Sequence, residues 1–110
     1  MQNVYDIAHD LVRSLKESDQ YKNLEVARAQ LNANPDVKKM LEDFQEKSQN
    51  FQMLKMSGQE VPEDLQQQLQ QLSGIVMADP TAANYLQCQM TLSTIVQELV
   101  GIIADVFKEE

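Results

Sequence analysis

One cysteine, one histidine, no tryptophan, and three each of glycine and proline are the shortages in this chain of 110 residues. The single thiol, Cys88, cannot close an intrachain disulfide, so nothing asks for an oxidising compartment. Sparse Gly and Pro suit a fold of many short strands and tight turns badly, and they leave room for long helices. Basic residues are scarce as well: nine Lys and Arg stand against seventeen Asp and Glu, for a net charge of −8. The nine are scattered among acids, whereas phosphate binding rests on clustered cations. Neither direct nucleic-acid binding nor attachment to an anionic membrane is therefore expected. No run of about 18 uninterrupted apolar residues is available to span a bilayer. The longest apolar stretch, Leu92 to Phe107, is broken by Gln97, Glu98 and Asp105. Met1 to Asp10 carries no basic n-region and no long apolar block, so a signal peptide is not expected and a cytoplasmic location is.

What is present is helical patterning. Gln, Leu, Met, Ala, Glu and Lys fill the segments between breaks, and all are good helix formers. The dominant stretch is the last. From Asp79 onward, Tyr85, Cys88, Leu92, Ile95, Leu99, Ile102 and Val106 recur at alternating spacings of three and four. That is a seam of period 3.5, which keeps one line of side chains facing a partner helix. Val96, Val100, Ile103 and Phe107 add a second stripe beside it. A surface helix needs only one stripe of about 100° to meet its own core, so the wider face asks for cover on two sides.

The preceding segments break at recognisable signals. Asn3 is a good N-cap for a first helix over about 3–17, with Val4, Ile7, Leu11 and Leu15 on its stripe. Ser18 reads as a cap for a second helix over 19–32, although one bent helix satisfies the same pattern. Asn34-Pro35-Asp36 starts a third over 35–57, carrying Val37, Met40, Leu41, Phe44, Phe51 and Leu54. Gly58 is its C-cap candidate, and Pro62-Glu63-Asp64 open a fourth over 62–78. So short a link makes the third and fourth helices antiparallel neighbours. Asp79-Pro80 then starts the fifth, over 80–107. The expected fold is all-α: one domain, 1–110, as an antiparallel bundle of four to five helices with a long C-terminal helix.

At about 1.5 Å per residue the last helix would be roughly 42 Å long, against roughly 21 Å for the first. Part of its broad face would then overhang a bundle made from its own chain. A second copy is the economical cover, since most such assemblies are two-fold symmetric. The sequence thus points to a homodimer or larger oligomer. Its expected interface is Leu92, Ile95, Val96, Leu99, Val100, Ile102, Ile103, Val106 and Phe107.

Site chemistry is thin. His9 lies within one turn of Asp6, Asp10 and Arg13, but no third ligand, nucleophile or Gly-rich anion cradle accompanies it. It reads as a surface histidine. Cys88 sits on the apolar seam, where a thiol behaves as a small hydrophobe. Met53 and Met56, near the turn after the third helix, could form an adaptable surface for a protein partner, because Met fits irregular shapes. Lys47 falls on the apolar stripe between Phe44 and Phe51 and leaves a polar gap there. No GxSxG, HExxH, P-loop or dinucleotide fingerprint is present. The expectation is a non-enzyme without catalytic residues, metal or cofactor, acting as an interaction or scaffold protein. A small-molecule or metal-binding bundle is the alternative, with Lys47 as its one hint.

Tyr5-Asp6-Ile7-Ala8-His9-Asp10-Leu11, Ser18-Asp19-Gln20-Tyr21-Lys22, Gly58-Gln59-Glu60-Val61 and Leu92-Ser93-Thr94-Ile95 together resemble one family. It is the YlbF/YmcA-like group of small helical bacterial proteins, and the chain is most similar to its YheA-like branch. The resemblance covers nearly the whole length and implies a cytoplasmic, non-enzymatic protein that self-associates. In the YlbF and YmcA branches it implies a regulatory adaptor that acts with a third protein on RNA processing by an endoribonuclease. Competence, biofilm formation and sporulation are influenced in turn. Those branches also hold iron–sulfur clusters on cysteines. Here Cys88 stands alone, so that cofactor is not carried over.

Overall fold

The structure, a computed structural model, describes residues 2–109. Five α-helices follow one another: α1 (Val4–Lys16), α2 (Asp19–Asn32), α3 (Pro35–Met56), α4 (Glu63–Ala78) and α5 (Pro80–Ala104). A 3₁₀ turn, Asp105–Phe107, follows α5, and no strand occurs among the described residues. The fold is all-α with a long C-terminal helix.

Local chemistry accounts for the breaks. Asn3 caps α1: its side-chain oxygen accepts the Asp6 N–H at 2.9 Å. Asp6 in the first turn and Arg13 and Lys16 in the last complement the helix dipole. The choice between a bent helix and two helices is settled by Ser18. Its hydroxyl donates to the Leu15 carbonyl at 2.6 Å, closing α1, and accepts the Tyr21 N–H at 3.2 Å, opening α2. One side chain thus serves orphan groups of two helix ends. Pro35 occupies the first turn of α3, and the Asn34 side chain accepts the Val37 N–H at a long 3.5 Å.

Gly58 ends α3 at φ +74°, a conformation that costs an L side chain about 1–2 kcal/mol. Gln59 N–H reaches the Leu54 carbonyl at 3.0 Å and Gly58 N–H the Lys55 carbonyl at 3.2 Å. This pair of bonds is the Schellman arrangement, and it turns the chain into the short link before α4. Pro62 precedes α4 without a side-chain cap; Glu63 and Asp64 supply the first-turn negative charge instead. Asp79 caps α5, its Oδ1 accepting the Ala82 N–H at 3.0 Å.

The chain divides into two compact units. One comprises Ala29–Asn84 and holds the packed helix pair α3 and α4. Leu41 and Val76, at 1% and 0% exposure, are its largest fully enclosed side chains, with Leu31 and Ala82 also buried. The other comprises the residues up to Arg28 together with those from Tyr85 onward. Leu24 and Ala27 are its buried residues.

The sequence places the end of the last helix at 107, but the α-helix stops at Ala104. Lys108 N–H closes back on the Asp105 carbonyl at 3.0 Å, the tighter i to i+3 bond of a 3₁₀ turn. Val106 and Phe107 therefore leave the α-helical stripe on which the sequence pattern puts them.

Candidate functional site

The candidate site is the outer part of α5, and its character follows from how the helix is started and what borders it. Asp79 and Pro80 anchor the beginning, and Ala82 is wholly enclosed. Tyr85, Cys88, Leu92, Ile95 and Leu99, the expected seam, are half-buried. Beyond and beside them the cover stops. Val96 is 42% exposed, Val100 58%, Ile103 62% and Phe107 87%, with Ile102 and Val106 open as well. Of the nine residues expected at an interface, three are half-buried and six are exposed.

Polarity on this helix is low even where polar residues occur. The Thr91 hydroxyl donates to the Gln87 carbonyl at 2.9 Å and the Thr94 hydroxyl to the Met90 carbonyl at 3.0 Å. Both are spent on their own helix. Glu98 is the single charged residue between Pro80 and Ala104. At 3.6 residues per turn it projects from the side opposite Val96, Val100 and Ile103. Ser93, Gln97 and Ala104 border the open stripe instead, and none carries charge. An exposed apolar face of this kind is what makes this part of α5 the candidate site.

Average hydropathy adds a finding that counting unbroken apolar runs misses. From Pro80 to Phe107 the helix is long and apolar enough to cross a membrane by length and composition, with a mean hydropathy of 1.5 in its best window. Nothing in that window is buried.

A second open surface lies on α1 and was not among the expected site residues. Val4 and Ile7 of its apolar stripe are exposed, together with Tyr5 and Val12, whereas Leu11 and Leu15 are half-buried. The signal for it was present in the strong one-sidedness of that stripe, which shows where a face is without showing whether anything covers it.

The remaining candidates are placed as follows. Met53 and Met56, at the end of α3, are exposed, Met56 at 88%. Lys55 lies over the Phe51 ring there, 4.9 Å from its centroid. The Lys47 ammonium meets the Asp43 carboxylate one turn back on the same helix, so the polar gap in the α3 stripe is answered locally. His9 is exposed, and the neighbouring Asp10 carboxylate is engaged by Arg13 and, at 2.7 Å, by the Gln2 amide. Cys88 is half-buried on the seam. Among the described residues no three His, Cys, Asp or Glu side chains gather as a metal site would require. Within the α3–α4 unit, Val37, Met40, Ile75 and Ala78 floor an open groove of about 430 Å³ with Asp36 and Asp79 at its edge.

Comparison with known proteins agrees with the helical fold. Residues 4–106 match the family described as control of competence regulator ComK, YlbF/YmcA. The chain belongs to the YlbF/YmcA family. Among its relatives is a UPF0342 protein of Caldicellulosiruptor bescii, 36% identical over 112 residues, an alignment covering 100% of this chain and 94% of the relative. A UPF0342 protein of Staphylococcus epidermidis is 33% identical over 101 residues, covering 92% and 89%. A solved structure titled as a protein of unknown function, DUF964, from Bacillus stearothermophilus superposes with a TM-score of 0.79 at 15% identity. It covers 93% of this chain and 90% of that one, and shows the same fold. The YlbF/YmcA family is described by regulation, and no enzyme family is among these relatives.

Proposed function

We propose that this YlbF/YmcA-family protein is a non-catalytic cytoplasmic scaffold that self-associates through the outer part of α5. Its other faces recruit a protein partner, as a regulatory adaptor does. The observation that carries this reading is the open face itself. Val96, Val100 and Ile103 form an exposed apolar stripe with no charged residue on its border. Such a face is costly to leave in water at about 25 cal/mol per Å² of apolar surface, so a partner that covers it binds at a gain. The family's description as a control element of a competence regulator supports the adaptor half, and a role in RNA processing is the form that adaptor function takes in this proposal. Exposed Met53 and Met56 are the surface offered to a different protein.

The test is a cross-linked pull-down in the native host with the wild-type chain and with a Leu99→Glu, Ile103→Glu variant. The wild type should return both its own copy and a stable second protein, and the variant should lose the first. Recovery of the homo-oligomer alone would remove the recruiting half of the proposal.

A membrane-associated reading has one observation behind it, the length and hydropathy of α5. Glu98 weighs against it. A carboxylate within the apolar stretch costs about 2.5–3.5 kcal/mol at the centre of a spanning helix. No Lys or Arg flanks the start of α5 as a headgroup anchor, the nearest on that side being Lys55.

A further inference from the structure

The α3–α4 unit closes its core but leaves one end open. Val76 is enclosed at 0% exposure, whereas Ile75, one residue earlier on α4, is 53% exposed. Ile75 and Ala78 of α4 and the half-buried Val37 and Met40 of α3 form the apolar floor of the groove of about 430 Å³, with Asp36 and Asp79 at its edge. None of the six belongs to the open stripe of α5. Met53 and Met56 lie farther along α3, by roughly 24 Å at 1.5 Å per residue.

The rim gives the groove its character. Asp79 is held in place through Oδ1, which accepts the Ala82 N–H at 3.0 Å. Among the described residues neither Asp36 nor Asp79 is in an ion pair. At 3.6 residues per turn Lys38 projects from the far side of α3, and Lys39 stands on the outer flank of Asp36, away from Val37. Three helix ends meet at this edge, each carrying about half a charge. The beginnings of α3 and α5 are positive and the end of α4 is negative, so the two carboxylates leave the rim negative on balance.

Floor and rim together select the occupant. The volume falls in the range of small-molecule sites, roughly 300–1,000 Å³, but such sites enclose about 70–90% of their ligand and this groove is open. A chain segment that lays one side chain into a groove needs no such enclosure. A second copy of this chain would bring a net charge of −8 to a negative rim. A cationic chain is instead attracted to it, and steered toward it over distance.

We propose that this groove docks a cationic amphipathic segment of another protein. A bulky aliphatic side chain of that segment lies against Val37, Met40, Ile75 and Ala78, and an adjacent Arg or Lys meets Asp36 and Asp79. Met40, unbranched and polarisable, adapts the floor to aliphatic side chains of differing shape. The site is separate from the surface at Met53 and Met56, and it stands whether or not α5 self-associates.

The experiment uses the full chain. Short peptides displayed on phage are depleted on an Ile75→Gln variant, selected on the wild type, then synthesised with a fluorescent label and titrated by anisotropy. The enriched sequences should place Leu, Ile or Met next to Arg or Lys. Their affinity should fall as salt is raised, and by about ten-fold or more in Ile75→Gln. An Asp36→Asn, Asp79→Asn variant removes the rim charge while keeping a residue that caps a helix as well as Asp does. Folded by circular dichroism, it should bind the same peptides about three- to ten-fold more weakly.

Enrichment of peptides without Arg or Lys, binding indifferent to the Asn pair, or survival of no peptide after depletion would each overturn the proposal. So would a concentration-dependent mass by light scattering that Ile75→Gln abolishes, which would give the groove to a second copy. An adduct in native mass spectrometry that the same variant loses would give it to a small molecule, with the same consequence.

Discussion

The unit built on α3 and α4 and the unit that ends in α5 differ in how far their large apolar side chains are covered. In the first, Leu41 and Val76 are closed off almost completely. In the second, Val100, Ile103 and Phe107 stand in water, as do Val4 and Ile7 of α1. The difference teaches that this chain completes one core and leaves one face unfinished. The comparison breaks most directly by truncation. Leu41→Ala should lower unfolding free energy by about 2–5 kcal/mol, because a cavity adds to the lost transfer energy. Ile103→Ala in dilute solution should change it by no more than about 0.5 kcal/mol, as for other exposed sites. Urea titration of both at low protein concentration decides. Equal losses would mean that the α5 face is packed within its own chain.

Concentration sharpens the same contrast. If a second copy covers α5, the melting temperature of the wild type rises with protein concentration, since anything that binds only the native state stabilises it by mass action. Leu99→Glu with Ile103→Glu should abolish that dependence and weaken association by about 2 kcal/mol or more, the scale of a central interface residue. The dilute-limit melting temperature should move little from Ile103→Glu alone. Leu99 is half-buried, so its own replacement reports partly on the chain's interior.

Much of the fold was legible because its signals are local. Asn3, Ser18, Asn34 and Asp79 each accept a backbone N–H three residues on, as their residue types and positions imply. Gly58 adopts the positive φ that its place at a helix end requires. The break between α1 and α2 was undecidable from pattern alone, because an uninterrupted stripe fits a bent helix as well; the two-way use of the Ser18 hydroxyl decided it. What periodicity does not carry is what lies against a face. It finds two stripes on α5 but does not say that Leu92, Ile95 and Leu99 are half-covered while Val96, Val100 and Ile103 are open. It equally treats Val4 and Ile7 as core candidates, though both are exposed. The 3₁₀ turn at Asp105–Phe107 has no residue-type signature at all.

The turn between α3 and α4 tests whether the closed unit depends on its punctuation. Gly58→Ala places a Cβ at φ +74°, where open space surrounds it but the backbone is strained. A loss of about 1–2 kcal/mol follows, seen as a drop of a few degrees in melting temperature. Asp79→Ala removes a cap bonded at 3.0 Å and should cost about 1 kcal/mol. Asn34→Ala removes a bond already stretched to 3.5 Å and should cost less. A reversal of the last two would show that cap geometry does not rank these helix ends.

The smallest effect concerns the polar gap in the closed unit. Lys47 is 28% exposed by side chain and its ammonium meets Asp43, 47% exposed, on the same helix. A pair this open contributes only a few tenths of a kcal/mol. Its side chain, by contrast, is only 28% exposed, at a position whose spacing falls on the stripe between Phe44 and Phe51. Lys47→Met keeps an unbranched stem of similar length and removes the charge. Folding stability should therefore stay within about 0.5 kcal/mol of the wild type, with a gain as acceptable as a loss. A small-molecule reading of the bundle requires Lys47 to hold something other than Asp43. In that case native mass spectrometry of the wild type would show an adduct, Lys47→Met would lose it, and the variant would melt lower only when the adduct is present. Absence of any mass difference beyond the substitution leaves Lys47 as a half-covered surface lysine held by Asp43.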